Sequence, residues 1–346
     1  MKSPHSHAIP SGQPPPSPPS LNRDGIVAAF TKVLDDAHIG HRVNSPREGS
    51  VAICLGMKVR GKTPRVHAIF EFRQTFLRIY AYSPDLPAAA DLGRMLELAA
   101  RVNFGMVAGC FEVETESAET RFRHVLDFTG LASLPRGLAS RTLLLPFQMF
   151  QRYGDALAAA AAGTAGTAAE FANLREPAGD REPPDPPLDA DGIAAAVKRV
   201  LDEEGIAYRA EKNGNGRSVV IPAVDIDSQL GVFSQVAEIR DTCLRTHAVC
   251  PLRADSRHVG EMAKFVAMAN INLLPGNLDL DPDTGEIRYR LCVDFEGFPA
   301  PPDATLRRTL EIPLQVFREY GDAIADVAAG RSDAATALAA VTAKQG

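Results

Sequence analysis

The stretch of the sequence that most resembles a metal site is DLDPDTGEIRYR, from Asp279 to Arg290. Alternating aspartates followed by glycine and glutamate are typical of a calcium-binding EF-hand loop, which needs glycine at position 6 and a chelating glutamate at position 12. Counting from Asp279, position 6 is Thr284 and position 12 is Arg290, a cation where the carboxylate belongs. We therefore interpret the stretch as a β-hairpin turn in which Gly285 accommodates a positive φ.

The rest of the sequence carries no recognised catalytic or cofactor-binding pattern. It contains no Walker A lysine, no G-x-S-x-G serine and no HExxH histidine pair. The tripeptide from Gly214 to Gly216 follows a predicted helix and precedes a predicted strand, the reverse of a dinucleotide site, and the third glycine of the fingerprint is missing. The five cysteines are scattered and form no CxxC pair, as expected of free thiols in a reducing cytosol. We expect no catalytic residue, no metal and no cofactor.

Composition indicates a soluble cytoplasmic protein that binds neither nucleic acid nor membrane. The 346 residues carry a formal net charge of −6 and no tryptophan, which disfavours a nucleic-acid surface. The first 20 residues contain one lysine and no apolar core, unlike a signal peptide. The longest apolar run, from Ala156 to Ala162, is far shorter than the roughly 20 residues of a membrane span.

The chain repeats itself with a constant offset of 167 positions, the separation of Asp24 from Asp191. Chance matches would not keep one offset over such a length, so the chain is a tandem duplication. In the upstream copy of the Asp279 stretch, Ala118 stands where Gly285 stands, which again favours a turn over a metal loop. The other matched pairs are Gly25 with Gly192, Asn103 with Asn270, Asp127 with Asp294, and the tripeptide from Tyr153 with that from Tyr320.

These matches divide the chain into two modules of ordinary domain size. Module 1 covers residues 21–163 and module 2 covers residues 188–330. Between them, residues 164–187 are rich in proline, glycine and charge, as linkers are. We expect the Pro-rich residues 1–20 to be disordered and the C-terminal tail, residues 331–346, to be disordered or frayed.

Hydrophobic periodicity predicts the order α-β-β-β-α-β-β-α for each module, which is an α+β fold with an antiparallel sheet and helices on one face. The first helix shows Ile26, Phe30 and Leu34 at helical spacing. The second helix ends at Asn103 in module 1 and at Asn270 in module 2, where asparagine can bond free carbonyl groups.

The final strand of each module alternates apolar and charged residues, so it has one buried face. His124 lies on the apolar face and is interpreted as a core or rim residue. The charged face has two interpretations: a solvated surface with weak ion pairs, or a partner-binding surface, since arginine is enriched at interfaces. The residues of this face are Arg121, Arg123 and Asp127 in module 1 and Arg288, Arg290 and Asp294 in module 2.

The last helix of each module has a glycine inside its apolar stripe, where glycine costs about 1 kcal/mol relative to alanine. Gly154 follows Phe150, and Gly321 follows Phe317. Because this cost appears in both copies, we expect another element to approach the backbone closely. We therefore predict that these two helices pack the modules together.

The stretch from Ala267 to Gly330 resembles the YbjN family. The shared features are an Asn-containing helix end, a D-x-x-x-G-E turn, an R-[FY]-R strand ending in aspartate, and a final aromatic helix. Module 1 resembles the family more loosely, because its turn lacks the glycine. The family is described as sensory-transduction regulators and shares its fold with the class I chaperones of type III secretion, which are dimers that bind polypeptides and have no catalytic centre.

The resemblance implies a non-enzymatic regulatory or chaperone-like protein that binds a polypeptide partner, with its two modules paired as an intramolecular pseudo-dimer. Fold alone does not determine function. The alternative is a small-molecule sensor with a pocket between the sheet and the helices. A third hypothesis, an uncharacterised enzyme, would need a polar cluster that no motif reveals.

Overall fold

The computed structural model describes residues 21–129, 131, 133–164, 188–213, 216–225 and 228–345. The predicted tail 1–20 and all but the first residue of the predicted linker lie outside the described residues. Within these ranges, no helix is both long enough and apolar enough to cross a membrane.

In its described residues, module 1 contains three helices and six strands. In chain order these are α1 (Arg23–Asp36), β1 (His41–Asn44), β2 (Val51–Lys58), β3 (Arg65–Phe72), β4 (Phe76–Tyr82), α2 (Leu92–Gly105), β5 (Cys110–Val113), β6 (Thr120–Asp127) and α3 (Arg136–Ala161). Module 2 repeats this order and is followed by one more helix. Its elements are α4 (Ala190–Glu203), β7 (Arg209–Asn213), β8 (Gly216–Asp225), β9 (Val232–Arg240), β10 (Cys243–Arg253), α5 (Val259–Asn270), β11 (Asn277–Leu280), β12 (Glu286–Asp294), α6 (Asp303–Ala328) and the added α7 (Ala334–Gln345).

Each module forms one antiparallel six-stranded sheet, which confirms the predicted α+β class. The strand orders, β1-β2-β3-β4-β6-β5 and β7-β8-β9-β10-β12-β11, are the same in the two modules. Each module has one strand more than the sequence pattern predicts. The additional strands, β1 and β7, lie at a sheet edge. Both strands are short and mostly polar, so they show no apolar alternation that would reveal them.

Alternating side chains of each sheet face the helices and form the core. In β3, Val66, Ala68, Phe70 and Phe72 are buried, whereas the side chains between them point to the other face. Phe30 of α1 packs edge-on against Phe72, with ring centroids 5.3 Å apart. Burying each such large side chain stabilises the module by about 1.5–3 kcal/mol.

The C-terminal tail is a helix, so the expectation of a disordered or frayed tail is wrong for residues 334–345. Ala334, Ala337 and Val341 are buried where α7 packs against α5 and α6. The Asp333 carboxylate accepts the Thr336 amide at 2.8 Å, and the Glu261 carboxylate accepts the Ala334 amide at 2.8 Å. An alanine-rich helix has little hydropathy contrast between its faces, which is why periodicity did not predict it.

In α3 and in α6, a hairpin turn of the same module packs against the glycine. The prediction that Gly154 and Gly321 pack the modules together is therefore wrong. A Cβ on Gly154 would collide with the Thr63 hydroxyl in the β2–β3 turn. A Cβ on Gly321 would lie 2.9 Å from Ser228 Oγ and 3.1 Å from a Leu230 methyl in the β8–β9 turn.

The neighbouring residues explain why the Tyr-Gly-Asp tripeptide is repeated. The carboxylate of Asp155 accepts the Lys62 amide at 2.5 Å, and that of Asp322 accepts the Gln229 amide at 2.9 Å. Glycine therefore admits the turn and aspartate holds its backbone. The aromatic residues of the same helices also stay within their modules, with Phe150 on Phe111 and Phe317 on Phe233.

Candidate functional site

The hairpin between β11 and β12 is closed by its own aspartate. Gly285 has a φ of +70° and donates its amide to the Asp281 carbonyl at 2.8 Å. The Asp281 carboxylate accepts the Thr284 hydroxyl at 2.8 Å. Ala118, at the equivalent position of module 1, has a φ of +56°. The hairpin interpretation of this stretch is confirmed, and the part of the chain that the structure describes holds no cluster of metal-ligating side chains.

The first aspartate of this stretch, Asp279, forms ion pairs with two arginines of β12. Asp279 is 0% exposed and binds Arg290, which is 1% exposed, at 2.7 Å. Arg288 contacts the same carboxylate at 3.3 Å. In module 1, Glu112 occupies the equivalent position and pairs with Arg121 at 2.8 Å and with Arg123. A buried charge is tolerated when it is paired and hydrogen-bonded, so this face is not solvated at the two acids or at Arg123 and Arg290.

The two inner arginines reach across to the other module. Arg290 donates to the Gly109 carbonyl at 3.0 Å, and Arg123 donates to the Gly276 carbonyl at 3.2 Å. These two bonds are equivalent, because both the arginines and the glycines are 167 positions apart. Such reciprocity is the pattern of an isologous two-fold interface. Arg290 also donates to two further carbonyl groups of module 1, that of Val107 at 3.0 Å and that of Asn103 at 3.2 Å.

A second reciprocal pair joins the strands to the last helices. Arg141 of α3 binds Asp294 at 2.9 Å, and Arg308 of α6 binds Asp127 at 3.0 Å. Sequence reasoning missed both arginines, although they too are 167 positions apart. The last helices therefore do contact the other module, but near their N-termini rather than at their glycines.

Other contacts between the modules have no reciprocal counterpart. The Arg288 guanidinium lies 3.7 Å from the centroid of the Phe104 ring and donates to the Phe104 carbonyl. Arg101 of α2 pairs with Asp283 in the β11–β12 turn. In addition, α2 packs against α5 and β11.

The repeated asparagines hold the interface backbone in place. The side chain of Asn103 accepts a hydrogen bond from the backbone amide of Phe111 at 2.7 Å and donates one to the backbone carbonyl of Phe111 at 2.8 Å. Asn270 binds both groups of Leu278 in the same way. Each side chain thus ties a helix end to the edge strand β5 or β11. The carbonyl bonding expected from the sequence is present, although it serves a strand rather than the helix end.

Two titratable side chains at this interface, Cys110 and His124, are uncharged at neutral pH. Burial raises the pKa of the Cys110 thiol to about 11, and burial and the nearby arginines lower the pKa of His124 to about 4. Both line a cavity of about 20 Å³ together with Arg123, Arg290 and Cys292. That volume suits one or two water molecules. Cys110 is therefore a neutral thiol, and this cavity is too small for a metabolite.

The six residues predicted to bind an outside partner mostly contact the other module instead. Arg123 and Arg290 are 2% and 1% exposed, so no outside partner can reach them. Asp127 and Asp294 pair with the other module. Alternation along a strand indicates which side chains share a face, but it does not indicate what covers that face. Of the six, Arg121 retains the most exposed side chain.

The sheet of module 1 leaves an aromatic patch on the side away from the helices, here called the open face. It consists of His67, Ile69, Phe76, Arg78, Tyr80 and Tyr82 on β3 and β4. Ile69 is 36% exposed and Tyr82 is 44% exposed. The His67 and Tyr82 rings stack at 5.6 Å, and Arg121 lies 4.5 Å from the Tyr80 ring centroid. Exposed apolar and aromatic side chains grouped in this way are typical of interaction sites.

The corresponding face of module 2 has a different chemistry. Ser234, Val236 and Val249 stand where the open face has His67, Ile69 and Tyr82. Next to them Glu238 pairs with Arg245, and its carboxylate lies 3.7 Å from His247. A hydrogen bond from His247 and the Arg245 guanidinium lower the pKa of Glu238 to about 2.

A groove of about 830 Å³ runs along α6 in module 2, between the loop after α5 and helix α7. Its volume is within the range of ligand sites. The groove is lined in part by Leu273, Ile312, Gln315, Val316 and Tyr320.

Comparison with known proteins gives the chain no family. No protein-family model matches it, and no curated protein matches it. Among solved structures, an aspartate kinase from Synechocystis is similar over 87% of this chain and 52% of the kinase, with 11% sequence identity and a TM-score of 0.12. The chain thus spans about half the length of that kinase, and a likeness of this size carries no argument about fold or function.

Proposed function

We propose that this protein is a non-enzymatic regulatory or chaperone-like protein that binds a polypeptide, and that its two modules act as an intramolecular pseudo-dimer. The observation that carries the proposal is the open face of module 1, where Ile69 and Tyr82 are exposed beside three further aromatic rings. The resemblance of both modules to the YbjN family supports the same function. The proposal includes a cytoplasmic location.

The open face suits a polypeptide better than a small molecule. It is a sheet surface rather than a cavity, and tyrosine and arginine are the residues that protein interfaces favour. Arg78 lies 5.6 Å from the centroid of the Phe76 ring and 5.7 Å from that of Tyr80. Because these neighbours pack against one another, the rings are already ordered, which lowers the entropic cost of binding.

Affinity capture from the native cell tests the proposal when it is done with matched variants. The open-face variant is Ile69→Asp with Tyr82→Ser, and the control is Val236→Asp with Val249→Ser at the equivalent positions of module 2. We expect mass spectrometry to identify a polypeptide that the unchanged chain and the control capture and the open-face variant loses. A set of captured proteins that is the same for all three chains contradicts the proposal.

The groove beside α6 favours a second candidate, a small-molecule sensor. The cavity that the structure describes between β6, β12 and α6 is small, at about 30 Å³, whereas the groove offers about 830 Å³. A ligand that binds the folded state raises the melting temperature. A metabolite that stabilises the full chain but not its Gln315→Trp variant, in which the groove is filled, would favour the sensor.

A further inference from the structure

We propose that the polypeptide bound by the open face is acidic and places a carboxylate against Arg78 of β4. The inference rests on the proposed function and deepens it, because it names the chemistry of the partner and the residue that binds it. The feature behind it is a cation that the open face holds in position without an acid of its own. The equivalent arginine of module 2 does have an acid.

The guanidinium of Arg78 is held by aromatic rings rather than by a carboxylate. It lies between Phe76 and Tyr80, at 5.6 and 5.7 Å from the ring centroids, and its buried Nε atom has no hydrogen-bond acceptor. Among the residues that the structure describes, no carboxylate lies within ion-pair distance of this side chain. Aromatic rings attract a cation, but they do not replace the acceptors that five guanidinium N–H groups can use. The side chain is only half-buried, so a partner can supply them.

The acids next to Arg78 are already engaged by other arginines. Glu71 lies directly across from Arg78 in the register of β3 with β4, yet it pairs with Arg73 at 2.6 Å. On the other side of β4, Arg121 pairs with Glu112 at 2.8 Å. The charge of Arg78 is therefore not compensated within the sheet, which favours a partner that carries negative charge.

Module 2 carries the same residue types 167 positions later but pairs them differently. Arg245, the counterpart of Arg78, binds the Glu238 carboxylate. Arg240, the counterpart of Arg73, lies 3.9 Å from the same carboxylate. The duplication thus gives an internal comparison in which one arginine has its acid and the equivalent one does not.

The aromatic rings account for the difference between the modules. Phe76 and Tyr80 are replaced by Cys243 and His247 in module 2, so the arginine there has no pair of rings to lie between. A guanidinium already fixed between rings loses little conformational entropy when it binds a carboxylate. Because Arg78 lies among exposed apolar and aromatic side chains, a segment that combines acidic with apolar residues fits this face.

Selection of phage-displayed random peptides of about 12 residues on the full chain tests the inference. Peptides that bind the open face are those lost when the selection is repeated on the Ile69→Asp, Tyr82→Ser chain. We expect these peptides to share an aspartate or glutamate beside apolar or aromatic residues. Peptides selected on Arg78→Gln should show no such preference, whereas those selected on the matched module 2 variant Arg245→Gln should keep it.

The affinity of one selected peptide then measures the contact. Arg78→Gln should weaken binding at least tenfold, because the charge-assisted hydrogen bonds are lost. Arg78→Lys should recover part of the affinity, since lysine keeps the charge but not the planar fork. Arg245→Gln should leave the affinity within twofold. Replacing the acid of the peptide by its amide should cost at least tenfold with the unchanged chain and nothing further with Arg78→Gln, because both changes remove the same contact.

Open-face peptides without an acidic preference, equal losses for Arg78→Gln and Arg245→Gln, or additive effects of the peptide and chain substitutions would each overturn the inference and leave the proposed function intact. A library that yields no peptide dependent on the open face would contradict the proposed function and the inference with it. The amide substitution in the peptide needs no variant of the chain, so it decides even if Arg78→Gln fails to fold.

Discussion

The guanidinium of Arg290 in module 2 donates a hydrogen bond of 3.0 Å to the carbonyl oxygen of Gly109 in module 1. The same guanidinium binds Asp279 in its own hairpin at 2.7 Å. One side chain thus connects the turn of module 2 to the backbone of module 1, and Arg123 makes the equivalent bond in the opposite direction. The charged strand residues serve the contact between the two halves of the chain.

Replacing Arg290 with methionine should destabilise the protein by about 3–5 kcal/mol, because Asp279 would remain buried without its closest cation. Urea unfolding measures the loss. Arg253→Met is the matched control, since Arg253 pairs with Glu286 at 3.0 Å on an exposed part of the neighbouring strand; it should cost at most about 1 kcal/mol. Equal losses for the two variants would contradict the buried role of Arg290.

The two turn positions with positive φ should respond oppositely to exchange. Ala118→Gly relieves a left-handed alanine, worth about 1–2 kcal/mol, but adds the chain entropy of glycine; we expect no loss and a gain of up to about 1 kcal/mol. Gly285→Ala brings a Cβ against the Ala254 carbonyl and should destabilise. Thermal unfolding compares them, and a stabilising Gly285→Ala would refute the turn geometry.

The turn against Gly154 gives a prediction about packing within module 1. Gly154→Ala should cost about 1–3 kcal/mol, because the added methyl collides with the buried Thr63 side chain. Adding Thr63→Ala should recover part of the loss. The radius of gyration from small-angle scattering should stay unchanged in both variants. A larger radius would show that Gly154 packs the modules together after all.

The ion pair of Glu238 predicts a stability that depends on pH. The folded pKa of about 2 lies below the ordinary value of 4.5, because His247 and Arg245 favour the carboxylate. The stabilisation is therefore complete above pH 4.5 and is lost as the pH falls towards 2. The difference in melting temperature between the unchanged chain and Glu238→Gln should shrink between pH 5 and pH 2.5, as calorimetry can measure. A constant difference would rule out this pair as the source.

The duplication and the fold class were predictable from the sequence, because a constant offset and two kinds of hydrophobic period are local properties. The partners of the repeated residues were not. Alternation placed Arg123 and Arg290 on the charged face of their strands. Periodicity alone does not show whether solvent or a second module covers that face. The apolar stripe of α3 indicated a close approach at Gly154, and the structure supplies it, although from Thr63 of the same module.

Other features escaped prediction because their local signal is weak. Strand β1 is short and polar, and helix α7 consists largely of alanine. The exposed aromatics of the open face lie on strands that were predicted. Their grouping depends on the register of β3 with β4, which brings Ile69 opposite Tyr80. The sequence specified each strand but not which of its residues stay uncovered in the paired chain.

Hydrogen–deuterium exchange of the full chain, with and without the polypeptide captured by it, tests the central claim most directly. The account predicts slower exchange in the segment from Arg65 to Tyr82, which carries the open face, and unchanged exchange in the equivalent segment of module 2, from Val232 to Val249. Protection confined to the groove beside α6, or no protection in either sheet, would contradict the claim that module 1 binds a polypeptide through its open face.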